Sequence, residues 1–373
     1  MKLKVLFISS WFPNKLEPTN GNFVQRHAEA VATLHDVEIL HTIGDFAQKE
    51  TFIFDDKVVN GIRTLIVYYK NSKNPVQNFL RRMKAYKSGF AKMQKPDLVH
   101  ANVLHNNMLF AVYLKRKYKI PFVVTEHWTA LRKINQATTS LIIKKIATFI
   151  GNRASVILPV SNDLKISLEE LGVKSPMKVV PNVVDTSLFE PDHSAQEIFT
   201  FVHISNLIPR KNADKILKVA IKLLKEGYQL KLKIGGDGDT KPLREIVKKE
   251  GFENHIEIFD TLTLTEVSQK LKTSDCFILF SNDENQPCVI AESFASGIKV
   301  ISTNVGGISE FFPENFGILV DRPDEILLEK AMKQLIENQS PRDIEKISSY
   351  AKQTFSKESI ATQFTEIYKN VMR

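Results

Sequence analysis

Residues 281–310, SNDENQPCVIAESFASGIKVISTNVGGISE, constrain the fold of this chain more than any other segment. The apolar run 276–280 comes before them and is typical of a strand buried on both faces of a parallel sheet. A polar loop leads into a predicted helix over 288–296, and residues 298–302 form a second buried strand. Two such strands joined through a helix are the repeating unit of α/β proteins.

Proline and glycine delimit this helix and the turn that follows the second strand. Pro287 suits the first turn of a helix, and Gly297 suits the position just past its end. Gly306 and Gly307 indicate a tight turn. The segment therefore predicts a strand, an acidic loop, a helix and a second strand, in that order.

Two carboxylates flank the start of the predicted helix. Glu284 lies in the loop before it, and Glu292 lies inside its second turn. The first N–H groups of a helix have no intrahelical partner and attract phosphate, whereas carboxylates accept hydrogen bonds from sugar hydroxyls. A nucleotide-sugar would therefore fit between them. The alternative is that Glu284 is a solvated loop charge and Glu292 a helix-surface charge.

Composition favours two domains, because single cores stop growing near about 250–300 residues and the chain has 373. Its 43% hydrophobic and 25% charged residues are ordinary for a globular protein. Cys276 and Cys288 provide neither a disulfide framework nor a metal cluster, so we expect reduced thiols and a cytoplasmic location. The N-terminal apolar run is too short for a membrane span and is interpreted as a strand.

Positive charge is concentrated in the first half of the chain. Residues 1–181 hold 27 Lys and Arg against 13 Asp and Glu, a net +14, while the remainder holds 24 against 29, a net −5. A basic helix predicted over 76–93 suits an anionic membrane surface at the inner face of the membrane. The alternative is an ordinary helix with a charged outer face. No nucleic-acid partner is expected, because no recognised binding motif accompanies the basic residues.

The first half also alternates strands with helices. A loop at 10–21 joins a strand at 4–9 to a helix at 22–34, and such loops bind ligands in open α/β sheets. No G-x-G-x-x-G fingerprint occurs there. Asn60-Gly61 predicts a hairpin turn. Further predictions are strands at 98–101, 121–125, 155–160 and 177–180, and helices at 104–116 and 357–372.

The carboxylates and glycines of the opening segment resemble the E-x7-E motif of glycosyltransferase family 4, with Lys299 in place of the usual Pro. The resemblance extends through most of the chain. Residues 181–185, PNVVD, resemble the family's P-N-G-V-D connection between domains, with Val183 for Gly. Residues 235–238 match a G-D-G turn, and Thr261 replaces a usual Gly.

This resemblance implies roles for individual residues. Glu284 would position the sugar, Glu292 the ribose, and His127 the sugar and phosphate face. The implied catalytic set is His127, Glu284, Arg210 and Lys211, and His100 is expected on the acceptor side. The implied donor-binding set is Gly21, Arg210, Lys211, Gly236, Thr261, Leu262, Glu284, Pro287, Cys288, Val289 and Glu292. A bare Arg-Lys pair, a turn glycine or a single His would more often be structural, so these roles depend on the order of the motifs.

The family implies a GT-B architecture: two doubly wound Rossmann-like domains facing a central cleft. Residues 1–181 would form the acceptor-side domain and 182–356 the nucleotide-sugar domain, with the C-terminal helix, 357–373, crossing back to the first. The implied reaction is retaining, hexosyltransferase-type transfer from a nucleotide-sugar donor to a glycan or lipid-linked acceptor in polysaccharide synthesis. No metal and no other cofactor are expected, because protein cations would offset the diphosphate charge. The alternatives are a GT-B nucleotide-sugar epimerase and a non-enzymatic protein that binds anionic surfaces.

Overall fold

A computed structural model of the protein describes residues 2–192, 197–338 and 343–373. The chain divides into two compact units. The first runs to Val183 and includes Lys357–Arg373, and the second is Val184–Ser356. No helix within the described ranges is both long and apolar enough to cross a bilayer.

The first unit contains a seven-stranded sheet in the order β3-β4-β2-β1-β5-β6-β7. The strands are β1 (Lys4–Ser9), β2 (Asp36–Asp45), β3 (Phe52–Val59), β4 (Ile62–Lys70), β5 (Leu98–Asn102), β6 (Phe122–Glu126) and β7 (Val156–Pro159). All neighbours are parallel except β3 and β4. Those two form the predicted hairpin, with positive φ at both Asn60 and Gly61 as a two-residue turn requires.

Helices cover both faces of this sheet. They are α1 (Asn22–Ala32), α2 (Pro75–Phe90), α3 (Leu109–Tyr118), α4 (Leu141–Gly151), α5 (Asn162–Glu170) and α12 (Lys357–Met372). On one face Val24 of α1 and Phe364 of α12 join a core with Phe7 of β1. On the other face Tyr86 of α2 and Ile150 of α4 belong to a second core cluster.

The second unit contains a fully parallel sheet in the order β10-β9-β8-β11-β12-β13. The strands are β8 (Thr200–Ser205), β9 (Lys231–Gly236), β10 (Ile256–Phe259), β11 (Cys276–Leu279), β12 (Lys299–Thr303) and β13 (Gly317–Val320). The helices are α6 (Ala213–Lys225), α7 (Lys241–Glu250), α8 (Leu264–Lys272), α9 (Cys288–Ala295), α10 (Glu325–Glu337) and α11 (Ile344–Phe355). Two Rossmann-like α/β domains are therefore present, as predicted.

Helix α9 begins directly after its predicted proline and ends before its predicted glycine. Pro287 is the N-cap of α9, and Gly297 follows the helix with φ 71°. The Ile298 N–H donates to the Ser293 carbonyl at 3.1 Å, which closes the last turn. A side chain at Gly297 would also meet Ile344, because a Cβ there would lie 2.6 Å from its Cγ2.

Three local predictions differ from the structure. The strand predicted over 177–180 is reduced to a single bridge between Met177 and Ile157. The Lys178 and Val180 N–H groups donate to the carbonyls of Ile157 and Pro159, but Pro159 has no N–H with which to continue the ladder. The helix predicted from 104 begins at Leu109, after a 3-10 turn over Asn106–Met108. Strand β13 was not predicted.

Candidate functional site

Each sheet reverses its strand order once, and the second does so between β8 and β11. The loops that follow these two strands lie side by side at the carboxyl edge of the sheet. The Asn282 N–H donates to the Arg210 carbonyl at 2.9 Å, and the Asn212 side chain donates to the Phe280 carbonyl at 2.8 Å. Such a reversal point is where open α/β sheets bind ligands.

The loop after β8 presents its two cations from a rigid backbone. Pro209–Lys211 form one 3-10 turn, and Asn212 adopts a left-handed conformation with φ 51° before α6 begins. The Asn212 amide also donates to Asn282 Oδ1 at 2.7 Å. Its side chain therefore ties the cationic loop to the acidic loop.

The sequence-predicted residues Arg210, Lys211 and Glu284 contact one another. The Lys211 ammonium pairs with Glu284 Oε1, and Arg210 Nη1 lies 3.9 Å from Glu284 Oε2. Arg210 also donates to the Asp283 carbonyl. The side chains of Lys211 and Glu284 are 12% and 8% exposed. Glu284 is therefore a buried, paired carboxylate, and the alternative of a solvated loop charge is wrong.

Helix α9 begins beside this ion pair in the sequence. Pro287, Cys288 and Val289 are half-buried at its first turn, where the helix dipole favours negative charge. Glu292 is 4% exposed, which excludes the alternative of a helix-surface charge. The site thus combines two cations, a helix N-terminus and two buried carboxylates.

Gly236 and the loop after β10 belong to the same edge of the sheet. Gly236 ends β9 with φ 137°, and a Cβ there would lie 1.9 Å from the Ser205 carbonyl oxygen. The backbone of β8 therefore leaves no room for a side chain at position 236, which explains why a glycine occurs there. Thr261 is exposed and Leu262 half-buried after β10, which is two strands away from β8. Leu262 packs against the core cluster that includes Val202 of β8 and Ile290 of α9. The donor-binding role of both residues stays a prediction.

In the first unit, the predicted loop glycine is required by its surroundings. Gly21 precedes α1 with φ 77°, and a Cβ there would lie 2.4 Å from the carbonyl carbon and oxygen of Trp11. The strand order reverses between β1 and β5, and this loop follows β1. Gly21 therefore lies in the loop where this sheet is expected to bind ligands.

His127 follows β6 and lies against the start of α1. Its ring centroid is 4.2 Å from that of Phe23 and 5.4 Å from that of His27. Burial holds the pKa of His127 well below 6.5, and the neighbouring His27 and His100 add to this shift. The imidazole is therefore neutral at physiological pH and suited to hydrogen bonding.

The resemblance implied that His100 lies on the acceptor side, but the structure buries this residue in the core. It has no exposed surface. Its Nδ1 is 2.6 Å from the Tyr368 hydroxyl of α12, and its Nε2 is 2.5 Å from the Thr125 hydroxyl. Both ring nitrogens are thus engaged inside the core, and His100 fastens α12 to the sheet.

Sequence reasoning missed two buried titratable residues beside these loops. Glu126 accepts hydrogen bonds from the N–H groups of His127, Trp128 and Leu104, and burial raises its pKa to about 7 against those bonds. His203 bridges the Ile278 carbonyl and the Ser205 hydroxyl at 2.8 and 2.9 Å, and burial lowers its pKa to about 4. The sequence signal that could have identified Glu126 and His203 is a titratable residue near the end of an apolar run.

Paired cations and a helix N-terminus at a reversal point form an anion site of the kind that holds nucleotide phosphates. Residues 186–354 match the family model described as "Glycosyl transferases group 1", and residues 21–188 match "Glycosyltransferase Family 4". The chain belongs to glycosyltransferase family 4.

Relatives and solved structures agree with this assignment. The chain is 28% identical over 204 residues to a phosphatidylinositol N-acetylglucosaminyltransferase component from Arabidopsis thaliana, covering 53% of this chain and 45% of that protein. It is 25% identical over 345 residues to TuaC of Bacillus subtilis, a glycosyltransferase assigned to teichuronic acid biosynthesis, covering 85% of each. The chain spans about half the length of the curated relatives that it matches first.

The structure of HepE from Anabaena, solved with UDP, superposes with a TM-score of 0.76 at 18% identity, covering 99% of this chain and 100% of that one. This likeness is one of fold, and it confirms the expected GT-B class.

Proposed function

We propose that this protein is a retaining, hexosyltransferase-type glycosyltransferase that moves a sugar from a nucleotide diphosphate sugar to a hydroxyl of a glycan or lipid-linked acceptor. The observation behind the proposal is the buried cluster of Arg210, Lys211 and Glu284 at the reversal point of the second sheet. A diphosphate needs cations and N–H donors, and the transferred sugar needs a carboxylate. This cluster and α9 provide all three.

Glu284 pairs with Lys211 and lies 3.9 Å from Arg210, so one carboxylate offsets about half of the charge that the two cations could offer to a diphosphate. On donor binding, Arg210 and Lys211 would turn to the phosphates, and Arg can grip them bidentately. Glu284 would then accept hydrogen bonds from sugar hydroxyls, and Glu292 from the ribose. The same cations would stabilise the charge that develops on the departing diphosphate.

Within the first unit, we keep His127 and the loop of Gly21 as proposed ligand-binding residues. The neutral imidazole of His127 can donate one hydrogen bond and accept another, which suits the sugar and phosphate face of a donor. We assign no general base, because the leaving phosphate can accept the acceptor's proton in a retaining reaction. We expect protein cations, without a metal, to hold the diphosphate.

The relatives guide the proposal for acceptor and location. One is named for teichuronic acid biosynthesis and another for transfer to phosphatidylinositol. Both suggest a polysaccharide or lipid-linked acceptor, and HepE, also solved with UDP-glucose, suggests a UDP-sugar as donor. We place the protein in the cytoplasm, at the inner face of the membrane.

The first test measures nucleotide binding through the thermal unfolding of the protein. UDP, GDP and ADP are compared, each with and without magnesium. A nucleotide at 100 times its Kd adds about 2.7 kcal/mol, which raises the Tm of a unit this size by about 5–11 °C. Lys211→Ala should abolish the shift, while Lys248→Ala, an exposed lysine on α7, should keep it. No shift with any nucleotide would refute the donor site.

Glu284→Gln separates donor binding from sugar transfer. The variant releases Lys211 from its partner, so UDP affinity should stay the same or rise. Sugar transfer should fall by about 100-fold or more, since a charged contact to the reacting sugar is lost. Glu253→Gln, on an exposed glutamate, is the control. Analysis of the product for a new glycosidic bond distinguishes transfer from epimerisation.

A further inference from the structure

Helix α4 exposes large apolar side chains at its first turn. Leu141 and Ile142 are 68% and 69% exposed, and Phe149 two turns later is 43% exposed. Ile134, in the short 3-10 turn before the helix, is 68% exposed. Large apolar side chains that are this exposed and this close in sequence are unusual, and such exposed apolar surface often marks an interaction site.

The helix is apolar on two opposite sides. Ala147, Ile150 and Gly151 are buried against the sheet. With about 100° per residue, Ile142 and Phe149 project from the side opposite to these core residues. One apolar side is therefore explained by the fold of the first unit, and the other is not. We call the exposed residues Ile134, Leu141, Ile142 and Phe149 the α4 patch.

The segment of chain that contains the α4 patch is strongly basic. Residues 75–153, all of them described, hold fifteen Lys and Arg against two Asp and Glu. Asp97 is exposed and accepts the Lys4 N–H at 2.8 Å, whereas Glu126 is fully buried. Carboxylates of α5 pair with two of these cations, Asp163 with Arg132 and Glu170 with Lys133. The net charge of residues 75–153 is +13 of the +14 found in residues 1–181.

Cations lie on the helix itself. Lys145 is exposed between Ile142 and Phe149 in the sequence, and the Arg153 guanidinium lies 3.5 Å from the centre of the Phe149 ring. Lys115, at the end of α3, donates to the Arg153 carbonyl at 2.7 Å. This bond joins the exposed basic end of α3, with Arg116 and Lys117, to the α4 patch.

Helix α2, the other basic helix whose sequence suits a membrane surface, uses part of its surface within the first unit. Its Tyr86 is buried in the core, and Met83 and Phe90 pack against that core. Arg82 donates to the Tyr69 hydroxyl and to the side chains of Asn106 and Asn107. These contacts leave Val76 and Leu80 as the strongly exposed apolar side chains of α2, at 66% and 55%.

We propose that α4 docks this protein on an anionic lipid surface. Leu141, Ile142 and Phe149 enter the boundary between headgroups and acyl chains, and Lys145 and Arg153 bind anionic headgroups. A lipid surface is favoured because a continuous anionic interface accepts apolar side chains and many cations at once. The inference extends the proposed function, because it names the surface that would bring the site to a lipid-linked acceptor.

The test is co-sedimentation of the full chain with neutral phosphatidylcholine vesicles and with vesicles in which about one third of the lipid is phosphatidylglycerol. Leu141→Ser/Ile142→Ser should lower partitioning onto anionic vesicles by about ten-fold or more. Lys145→Gln/Arg153→Gln should weaken it and reduce its salt dependence. Val58→Ser, on a residue of β3 that is 71% exposed, should bind like the wild type.

Two outcomes would overturn the proposal. One is wild-type binding by the Leu141→Ser/Ile142→Ser variant, and the other is equal or no binding of the wild type to both vesicle types. Val76→Ser/Leu80→Ser tests α2 in the same assay, and a loss confined to that variant would move the contact to α2. The UDP-dependent thermal shift should be unchanged in every variant, so failure of the donor site is detected separately from failure of docking.

Discussion

Substitution of Lys211 by Met tests whether the ion pair with Glu284 is a buried, coupled element of the second domain. The ammonium and carboxylate are in contact, and both side chains are close to nine-tenths buried. Methionine keeps most of the side chain's volume and removes its charge. The variant therefore leaves Glu284 buried with Arg210, 3.9 Å away, as its remaining cation.

The size of the effect follows from this geometry. Removing one partner of a buried ion pair costs about 3–5 kcal/mol. Because Arg210 remains and Lys211 keeps partial contact with water, we expect about 2–3 kcal/mol. For a domain of about 150–250 residues, this lowers the Tm by about 4–12 °C.

A double-mutant cycle measures the coupling directly. We expect Lys211→Met/Glu284→Gln to cost less than the sum of the two single variants by about 1–3 kcal/mol, because no buried charge is then left uncompensated. Urea unfolding of the four proteins at one pH, with scanning calorimetry to resolve the two domains, provides the free energies. Additive costs would refute the pairing, and so would a Lys211→Met loss below about 0.5 kcal/mol.

Three other variants extend these tests. Since the folded-state pKa of Glu126 is about 7, above its ordinary 4.5, the folded state holds the proton more tightly. This proton therefore adds about 3 kcal/mol to the free energy of unfolding below pH 4.5, and the contribution is lost as the pH rises through 7. In Glu126→Gln the difference between the urea midpoints at pH 5.5 and pH 8 should shrink. Gly21→Ala should cost more than Gly61→Ala in thermal unfolding, because both have positive φ but a Cβ at Gly61 meets nothing within 4 Å. Equal costs would contradict the close approach of Trp11.

The strand and helix pattern was largely predictable because its signals are local. Apolar runs marked β1, β11 and β12, and the Asn60-Gly61 pair marked a hairpin. Pro287 and Gly297 bounded α9 to within one residue. The order of the motifs from Arg210 to Glu292 also predicted the family, because motif order is a property of the sequence alone.

Errors arose where a segment's partners decided its conformation. Residues 177–180 were predicted to form a strand, but their partner β7 ends in Pro159, which has no N–H to donate, and a single bridge remains. Strand β13 is short, and pairing with Val300 to Thr303 of β12 defines it. Nothing in the sequence indicated that Arg82 of α2 bonds to side chains from β4 and from the turn before α3. Membrane contact of α2 stays a prediction.

By itself, the sequence determined the α/β class, the family and the residue types available for a diphosphate, because periodicity, caps and motif spacing are expressed over a few neighbouring residues. The tertiary structure decided which polar groups meet. Lys211 and Glu284 are 73 residues apart, and His100 bonds to Tyr368 across 268 residues. Burial and pairing depend on the elements that the fold packs around a side chain. A polar residue singled out by the sequence is therefore a buried, paired carboxylate at Glu284 and a core hydrogen-bonding group at His100.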